Sequence, residues 1–313
     1  MLGTFVSVTL LAPPPDSLLH HHVETAIQEA YAVVDQVDKL LSNHNTNSEL
    51  SQLNRGFASS TNWVAVSREL FKKLSQARLI HDQSQGAFDP TVGPLTELWG
   101  FQKKEYRLPS KSEISFLLPK LGFHQIEFLS DSVGTFLRTK VIGLSIDSGG
   151  FGKGVAVDQM SERLSQWGFT NHLVKAGGDL RCAGSPGPAH QWVVQIEDPT
   201  KSGNRVQLSL SSGALSTAGN YENYFVVGGQ RYSHILNPRT GFPVQNVASC
   251  SVVAPTCFES DAWSTARFVL GPRDLLATQR FPARFVMAPA RHSQNSRSPT
   301  VITDPGFPRV ILR

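Results

Sequence analysis

Residues 232–241 (YSHILNPRTG) place one ionisable side chain, His234, between a β-rich run and a predicted tight turn. Pro238 fixes its own φ and Gly241 tolerates a positive φ, so the chain is expected to reverse just after the histidine. A histidine held in such a turn keeps its direction, and its ordinary pKa near ~6.5 suits proton transfer. The segment therefore predicts a general base at His234. The alternative is a histidine packed at the end of a strand.

A glycine-rich stretch at 146–158 (IDSGGFGKGVAVD) predicts a strand, a turn and then a helix, because Ala156, Met160 and Leu164 recur at helical spacing. Glycines in a strand-to-helix turn let backbone N–H groups approach an anion, and the helix N-terminus adds partial positive charge. Lys153 supplies a full positive charge. The spacing is neither a Walker P-loop nor the dinucleotide GxGxxG. We therefore expect an anion site of another kind or, as the alternative, an ordinary flexible turn.

Residues 259–266 (ESDAWSTA) predict the start of a helix, with Ser260 or Asp261 as the N-cap. Asp261 and Thr265 are four residues apart and would share one helix face. A carboxylate and a hydroxyl, joined by a few carbonyls, form the kind of oxygen site that Mg²⁺ takes. The alternative is a plain N-cap with a buried threonine.

Two further segments could line a ligand pocket. Residues 173–181 (LVKAGGDLR) run an apolar strand into Gly-Gly-Asp, which suits close approach of the backbone to a ligand, unless the strand simply ends in a turn. Residues 86–95 (GAFDPTVGPL), followed by WGF at 99–101, predict an ordered loop flanked by aromatic residues. Their faces could stack on a flat ring, although core packing is the commoner use of Phe and Trp.

Taken together, these segments resemble the FAD:protein FMN transferase family, also called the ApbE or thiamine biosynthesis lipoprotein family. The resemblance covers almost the whole chain, and its motifs occur in order. They are Gly3-Thr4, Ser42, Ser48-Glu49-Leu50, Leu53-Asn54, the 86–101 loop, the 146–158 turn, LVKAGGDLR at 173–181, Trp192 to Asp198-Pro199, STAGNY at 216–221, YSHILNPRTG at 232–241 and DAWSTA at 261–266.

The resemblance implies a reaction. Members of the family cleave the diphosphate of FAD and transfer the FMN half to a threonine hydroxyl of an acceptor protein, releasing AMP. Such chemistry needs Mg²⁺ to stabilise phosphate charge, a base to take the hydroxyl proton and a pocket that aligns the phosphorus with the nucleophile. An FAD pyrophosphatase that uses water instead, and a flavin-binding module without chemistry, are the alternatives that the sequence leaves open.

The resemblance also implies roles for individual residues. His234 becomes the base or its positioning partner. The magnesium ligands are expected to be Asp261, Thr265 and the backbone carbonyl of Gly152, where many members have alanine. The expected FAD-contacting residues are Phe88, Asp89, Thr91 and Val92 in the first loop, Gly149, Gly150, Lys153 and Asp158 in the glycine turn and its helix, and Gly177, Gly178 and Asp179 after the strand.

The hydrophobic pattern predicts an α+β fold, because helices are interleaved with antiparallel-looking strands. The resemblance implies a tunnelling-like fold, with antiparallel sheets flanked by helices, and one domain over 1–313 that is divisible into subdomains at about residue 125. An amphipathic first helix is traced by Val23, Ile27, Ala30, Val34, Val37 and Leu41. The other predicted elements are a strand at 3–11, helices at 67–84, 109–120, 153–167, 260–270 and 272–280, strands within 125–147 and 172–255, and a polar loop at 291–299.

Composition narrows the partners. The net charge of +4 and the pI near 9.0 suit an anionic dinucleotide and docking at a membrane surface. Lys and Arg are scattered, so nucleic acid is not an expected partner. Three cysteines without metal-ligand spacing indicate buried thiols, with a Cys250–Cys257 disulfide as the alternative. By resemblance, the acceptor is a flavoprotein with a threonine motif and the location is periplasmic or at the inner membrane; the lack of a leader leaves the cytoplasm open.

Overall fold

The computed structural model describes residues 4–11, 17–187, 190–197, 199, 206–273, 280–288 and 299–312. Its helices are α1 (Ser17–Leu41), α2 (Glu49–Ser59), α3 (Arg68–Gln83), α4 (Gly93–Leu98), α5 (Lys111–Leu117), α6 (Gly152–Gln166) and α7 (Cys257–Leu270). Its strands are β1 (Val6–Leu10), β2 (Val64–Val66), β3 (Ile126–Ser130), β4 (Thr135–Thr139), β5 (His172–Ala176), β6 (Asp179–Ala183), β7 (Trp192–Ile196), β8 (Val206–Leu210), β9 (Gly213–Gly219), β10 (Tyr224–Val227), β11 (Gln230–Ser233), β12 (Val247–Ala254), β13 (Ala283–Met287), β14 (Val301–Thr303) and β15 (Val310–Leu312).

The main sheet has seven strands in the order β1-β5-β6-β9-β12-β13-β14, and every neighbouring pair is antiparallel. Two three-stranded sheets, β15-β8-β7 and β2-β4-β3, and the hairpin β10-β11 complete the strand pairing in the described part of the chain. Helices and antiparallel sheets are interleaved along the sequence, which confirms the predicted α+β class.

Helices α6 and α7 lie together on one face of the main sheet, against β5, β6, β9 and β12. α1 covers α6 from outside. Phe151, Val155, Trp263 and Phe285 are fully or almost fully buried in the core between these layers. Burying a large apolar side chain contributes roughly 1.5–3 kcal/mol, so this core holds the two helices firmly on the sheet.

The buried face of α1 is rotated slightly from the predicted one. Ala30, Val37 and Leu41 are fully buried as predicted, but Ala26 and Val33 also lie in the core. The other predicted positions, Val23, Ile27 and Val34, are only half-buried. Small alanines at 26 and 30 let α1 approach α6 closely, which moves the contact line toward them.

The opposite face of the main sheet is covered by the small sheet β15-β8-β7. Trp192, Val194 and Leu208 from that sheet bury Leu180 and Leu215 of the main sheet. Strand β7 alternates buried and exposed residues, as a strand with one face on a core should. β6 and β9 are therefore covered on both faces, and they form a rigid centre.

An aromatic cluster holds the turn after β11. Trp99 is almost fully buried, and its indole Nε1 donates a hydrogen bond to the carbonyl oxygen of Gly241 at 2.9 Å. Gly241 adopts φ +72°, and a side chain there would collide with Ile114 of α5. The predicted reversal at Pro238–Gly241 is present, and its glycine is required for both backbone and space.

Several predicted boundaries are wrong in detail. Helix α7 begins at Cys257, because the hydroxyl of Thr256 accepts from the backbone N–H of Glu259, so neither Ser260 nor Asp261 is the N-cap. Residues 144–148 are extended but pair with no strand, so strands end at Thr139 in this region. Helices α2 and α4 were not predicted at all. Helix α5, predicted over 109–120, is capped by Ser110, ends at Leu117 and passes into a 3₁₀ turn.

Two predictions fall largely or wholly where nothing can be compared. Residues 274–279 of the predicted 272–280 helix and residues 291–298 of the predicted polar loop lie outside the described residues. All three cysteines are buried and free, as expected from their spacing. Among the described helices, none has the length and apolar character needed to cross a lipid bilayer.

Candidate active site

A cavity of about 660 Å³ opens where the N-termini of α6 and α7 meet the ends of strands from the main sheet. This volume lies within the usual range for a small-molecule or cofactor site. Its walls come from seven regions: Thr4 just before β1, the α1–α2 loop, the turn before α6, the β5–β6 turn, the end of β7, the segment from β9 to Ile235, and α7. Of the predicted site residues, Gly149, Gly152, Lys153, Gly177, Gly178, Asp179, His234, Asp261 and Thr265 line it.

The backbone before α6 is fixed by side chains distant in sequence. Ile146 exchanges two hydrogen bonds with the amide of Asn54, at 2.8 and 2.9 Å. The amide of Asn43 donates to the Ile146 carbonyl at 2.7 Å and accepts from the N–H of Ser148 at 2.9 Å. The Asp147 carboxylate then accepts from Gly149 N–H. These contacts hold the glycine turn in one conformation, so it is not a flexible turn.

Helix α6 begins at Gly152 without a side-chain cap. Its first-turn amides therefore lack a side-chain acceptor, except that Gly154 donates to Asp261 Oδ2 at 3.0 Å. Amides at a helix start favour an anion, as the sequence predicted for this turn. A Cβ at Gly154 would strike the backbone carbonyl of Cys257, so glycine is what lets α6 and α7 approach each other here.

Lys153 lies between two buried carboxylates. Its Nζ is 2.8 Å from Asp179 Oδ2 and 3.4 Å from Asp261 Oδ1. Burial of the ammonium opposes its charge, but the two carboxylates outweigh burial and raise the pKa of Lys153. Burial and then the nearby Asp179 raise the pKa of Asp261 to about 7. Two carboxylates share one ammonium, so the cluster is short of positive charge.

The oxygen donors around Asp261 fit a magnesium ion. Asp261 and Thr265 lie one turn apart on α7, and Thr265 Oγ1 is near the turn, 3.7 Å from where a Cβ on Gly150 would stand. Among the described residues, Asp261 Oδ1 has Lys153 Nζ as its hydrogen-bond partner, at 3.4 Å. This distance is longer than that of a strong charged hydrogen bond, about 2.7–2.9 Å. Carboxylate, hydroxyl and carbonyl oxygens are the hard ligands that Mg²⁺ prefers. No group of three or more His, Cys, Asp or Glu side chains in the described residues is arranged to bind a metal, so such an ion would need the hydroxyl and a carbonyl.

His234 follows β11 directly and faces the cavity. The carbonyl oxygen of Asn223 accepts from its backbone N–H at 3.0 Å and lies 3.2 Å from its Nδ1. Since a carbonyl only accepts, Nδ1 carries the proton and Nε2 keeps a free lone pair. Burial lowers the pKa of His234; the Asn223 bond raises it and the charge of Lys153 lowers it. A neutral, oriented imidazole suits proton abstraction.

A smaller cavity of about 150 Å³ adjoins the first and shares Gly149, His234 and Thr265 with it. Its remaining predicted residues are Phe88, Asp89, Val92 and Gly150. Phe88 is almost fully buried, with its ring edge-on to Phe151, and Trp99 and Phe101 are buried in the aromatic cluster. These aromatic rings therefore pack in the core, as the alternative expectation held.

Thr91 and Asp158 lie behind the cavity walls and do not line them. The Thr91 hydroxyl donates to Asp89 and accepts from the N–H of Gly122. The Asp158 carboxylate accepts from the first two N–H groups of α7 and pairs with Arg181 at 2.7 Å. Their polar atoms are engaged in holding the walls, and a direct contact of either residue with FAD stays a prediction.

Sequence reasoning missed Asn43, Asn54 and Asn223, each of which positions a site element. Asn54 lies inside α2, where asparagine is a poor helix former, and this is a weak signal of a special role. Asn223 contacts His234 through its backbone carbonyl, which any residue possesses. The residue type at 223 therefore gives no sequence signal of this contact.

Comparisons with known proteins identify the family of the chain. A family model described as the ApbE family matches residues 2–285. The chain is 34% identical to the FAD:protein FMN transferase of Escherichia coli (strain K12) over 276 residues, which are 87% of this chain and 77% of that protein. It is 31% identical to the protein of the same name from Haemophilus influenzae over 254 residues, 79% of this chain and 73% of the relative.

Solved structures show the same architecture. The ApbE protein of Thermotoga maritima superposes with a TM-score of 0.82 at 29% identity, covering 97% of this chain and 94% of that chain. The flavinyl transferase ApbE of Pseudomonas stutzeri, in its apo form, gives a TM-score of 0.82 at 27% identity, with 97% and 92% covered. On sequence and structure together, the chain belongs to the ApbE family.

Proposed function

We propose that this chain is an FAD:protein FMN transferase. The observation that carries the proposal is the convergence of His234, Lys153, Asp179, Asp261 and Thr265 on one cavity of cofactor size. The name carried by its relatives supports the same activity. In the proposed reaction an acceptor threonine oxygen forms a bond to the FMN phosphorus. The bond that breaks joins this phosphorus to the oxygen that bridges the diphosphate. AMP leaves, and the threonine proton is taken up by the enzyme.

His234 is proposed as the base. Its Nε2 bears the lone pair, because Nδ1 donates to Asn223, and burial keeps the ring neutral by lowering its pKa. A neutral imidazole in the cavity wall can accept the hydroxyl proton as the oxygen attacks. The contact of Nδ1 with the Asn223 carbonyl gives the ring one direction, which keeps Nε2 aligned with the incoming hydroxyl.

The diphosphate is proposed to lie at the start of α6, near Lys153. The positive end of the α6 dipole and the Lys153 ammonium both favour an anion there, although the N–H groups of Gly152 and Gly154 already have acceptors. The wall residues Gly149, Gly177 and Gly178 would admit the nucleotide closely, since glycine presents no side chain. Phe88, Asp89, Val92 and Gly150 would form the adjoining wall, and Asp179 would hold Lys153 in place. Thr91 and Asp158 would act from behind, by fixing these walls.

Magnesium is proposed as the cofactor. Asp261, Thr265 and the carbonyl of Gly152 would hold it. Burial and then the nearby Asp179 raise the pKa of Asp261, and a bound cation would oppose both effects. When bound, Mg²⁺ supplies positive charge that stabilises the phosphate oxygens during transfer.

The test is incubation of the purified protein with FAD and Mg²⁺, with and without an acceptor peptide that carries a threonine. We expect AMP release and a peptide mass increase of one FMN, both reduced to a small residual rate in His234→Ala and kept in the control His21→Ala, which changes an exposed histidine on α1. AMP and free FMN with no peptide product would identify a pyrophosphatase instead. FAD that stays intact would leave only flavin binding.

For partners and location, we propose a flavoprotein acceptor at a membrane surface, reached from the periplasmic side. The support is the net charge of +4, which favours weak attraction to anionic lipids, together with the family resemblance. Flotation with vesicles that contain anionic lipid tests the membrane association. We expect the protein to float with the vesicles at low salt and to dissociate at high salt. Failure to float with these vesicles at low salt would contradict membrane association.

A further inference from the structure

The orientation of His234 depends on Asn223, and Asn223 is itself held from outside the cavity. The hydroxyl of Tyr106 donates to Asn223 Oδ1 at 2.9 Å. The Asn223 amide also reaches the carbonyl oxygen of Phe101 at 3.5 Å. The residue that fixes the imidazole is thus tied to residues 101–106, which neither line the cavity nor belong to the hairpin β10-β11.

An aromatic ladder joins the same segment to the hairpin. The ring of Tyr106 stacks on Phe225 at 5.2 Å and 14°, Phe225 stacks on Tyr232 at 5.3 Å and 18°, and Tyr232 stacks on Trp99 at 5.7 Å and 29°. Trp99 then bonds to Gly241. Residues 99–106 therefore bind the chain on both sides of His234. The Tyr106 hydroxyl bonds to Asn223, and the Trp99 indole bonds to Gly241.

We infer that Tyr106 is a positioning residue for the proposed base: its hydroxyl fixes Asn223, and the Asn223 carbonyl in turn fixes the Nδ1–H form and the direction of His234. This inference rests on the proposed function for its kinetic consequence alone. Tyr106 is about two-fifths exposed and does not line the cavity, so it has no direct contact with substrate. Its ring stays in the ladder without the hydroxyl, which makes Tyr106→Phe a small change in packing.

The test compares Tyr106→Phe with Tyr232→Phe. Both changes delete one phenolic oxygen from the same ladder, but the Tyr232 hydroxyl has no hydrogen-bond partner among the described residues. Because Tyr106→Phe loses one hydrogen bond, we expect its kcat for FAD cleavage to fall by about threefold to tenfold. The KM for FAD should stay unchanged. Tyr232→Phe should match the parent enzyme. Asn223→Ala removes the acceptor of the same bond, and we expect it to lower kcat similarly and to be non-additive with Tyr106→Phe.

A structural readout accompanies the kinetics. Two-bond ¹H–¹⁵N spectra of the labelled protein, assigned with His234→Ala, report which ring nitrogen carries the proton. We expect the Nδ1–H form in the parent and in Tyr232→Phe, and a mixture of both forms in Tyr106→Phe. In the His234→Ala background, Tyr106→Phe should cause no further loss of residual activity, because it acts through His234.

Wild-type kcat with an unchanged tautomer in Tyr106→Phe would overturn the inference, as would a raised KM with intact kcat. An equal loss in the His234→Ala background would also overturn it, because the hydroxyl would then act elsewhere. If the parent protein cleaves no FAD, the proposed function fails. The tautomer spectra still decide whether Tyr106 orients the ring.

Discussion

Replacing Lys153 by methionine tests the charge balance of the cavity floor. The change removes the one ammonium that Asp179 and Asp261 share, and it keeps a long apolar side chain in place. Both carboxylates are at most 5% exposed, so their repulsion is poorly screened by water. The variant is expected to fold with lower stability and to gain a stronger dependence on divalent cations.

The size of the effect follows from the burial of the pair. Removing one partner of a buried ion pair costs about 3–5 kcal/mol, and because the Lys153 side chain is 31% exposed we take the lower end, about 3 kcal/mol. At about 2 °C per kcal/mol for a chain of this length, Tm should fall by roughly 6 °C. Millimolar Mg²⁺ should restore much of the loss in the variant, because a cation that binds only the folded state stabilises it.

The pH dependence has a defined sign. The pKa of Asp261 is raised to about 7 in the folded protein, so the folded state holds this proton more tightly than the unfolded one. Its favourable contribution is complete below the unfolded pKa near 4 and is lost as the pH rises through 7. In Lys153→Met the carboxylates lose their ammonium, so the deficit should be larger at pH 8 than at pH 5.

Thermal unfolding followed by circular dichroism, at pH 5 and pH 8, with EDTA or Mg²⁺, measures all of this. Lys175→Met is the matched control, because Lys175 is exposed at the same cavity and has no ion pair among the described residues. An unchanged Tm at pH 8, or an equal fall in Lys175→Met, would show that the Lys153 cluster does not carry the charge balance deduced here.

Three further outcomes are expected. Because burial lowers the pKa of His234, kcat for FAD cleavage should rise with pH and level off below ~6.5; a pH–rate profile still rising above pH 7 contradicts this. Asp158→Ala, which removes the acceptor for the first amides of α7, should lower the urea unfolding free energy by about 3 kcal/mol, and Asp158→Asn by less; equal losses would exclude the neutral amide oxygen as an acceptor for these N–H groups. Gly154→Ala should cost about 1–3 kcal/mol in the same assay, because its Cβ meets the carbonyl of Cys257, whereas Gly134→Ala, with ordinary clearance, should cost less.

The sequence predicted local geometry well wherever a pattern repeats within one element. Asp261 and Thr265 do share a helix, since four residues make about one turn. The start of that helix was misplaced by three residues, because Thr256 and the distant Asp158 both satisfy its first amides. A cap supplied from 99 positions away has no signature in the local sequence.

Side-chain partners across the fold were beyond the reach of sequence patterns. The pairing of Lys153 with Asp179 arises because α6 and the β5–β6 turn meet at the same edge of the sheet. The sequence left two uses open for Trp99, stacking on a flat ligand ring or packing in the core. The structure places it in a buried apolar cluster. The roles proposed for the site residues remain predictions, and what the structure adds is their convergence on one cavity.

The pairing of β1 with β5 has a consequence for the order of folding. Val8, near the start of the chain, lies opposite Val174, and Thr4 beside this strand forms part of the cavity wall. Contacts between such distant positions require a large loop to close, which slows folding and places the pairing late. While residues up to 180 have not emerged from the ribosome, β1 has no partner strand, and the cavity wall formed by the β5–β6 turn is absent. A ligand that needs the complete cavity would therefore stabilise the finished fold and not its early intermediates.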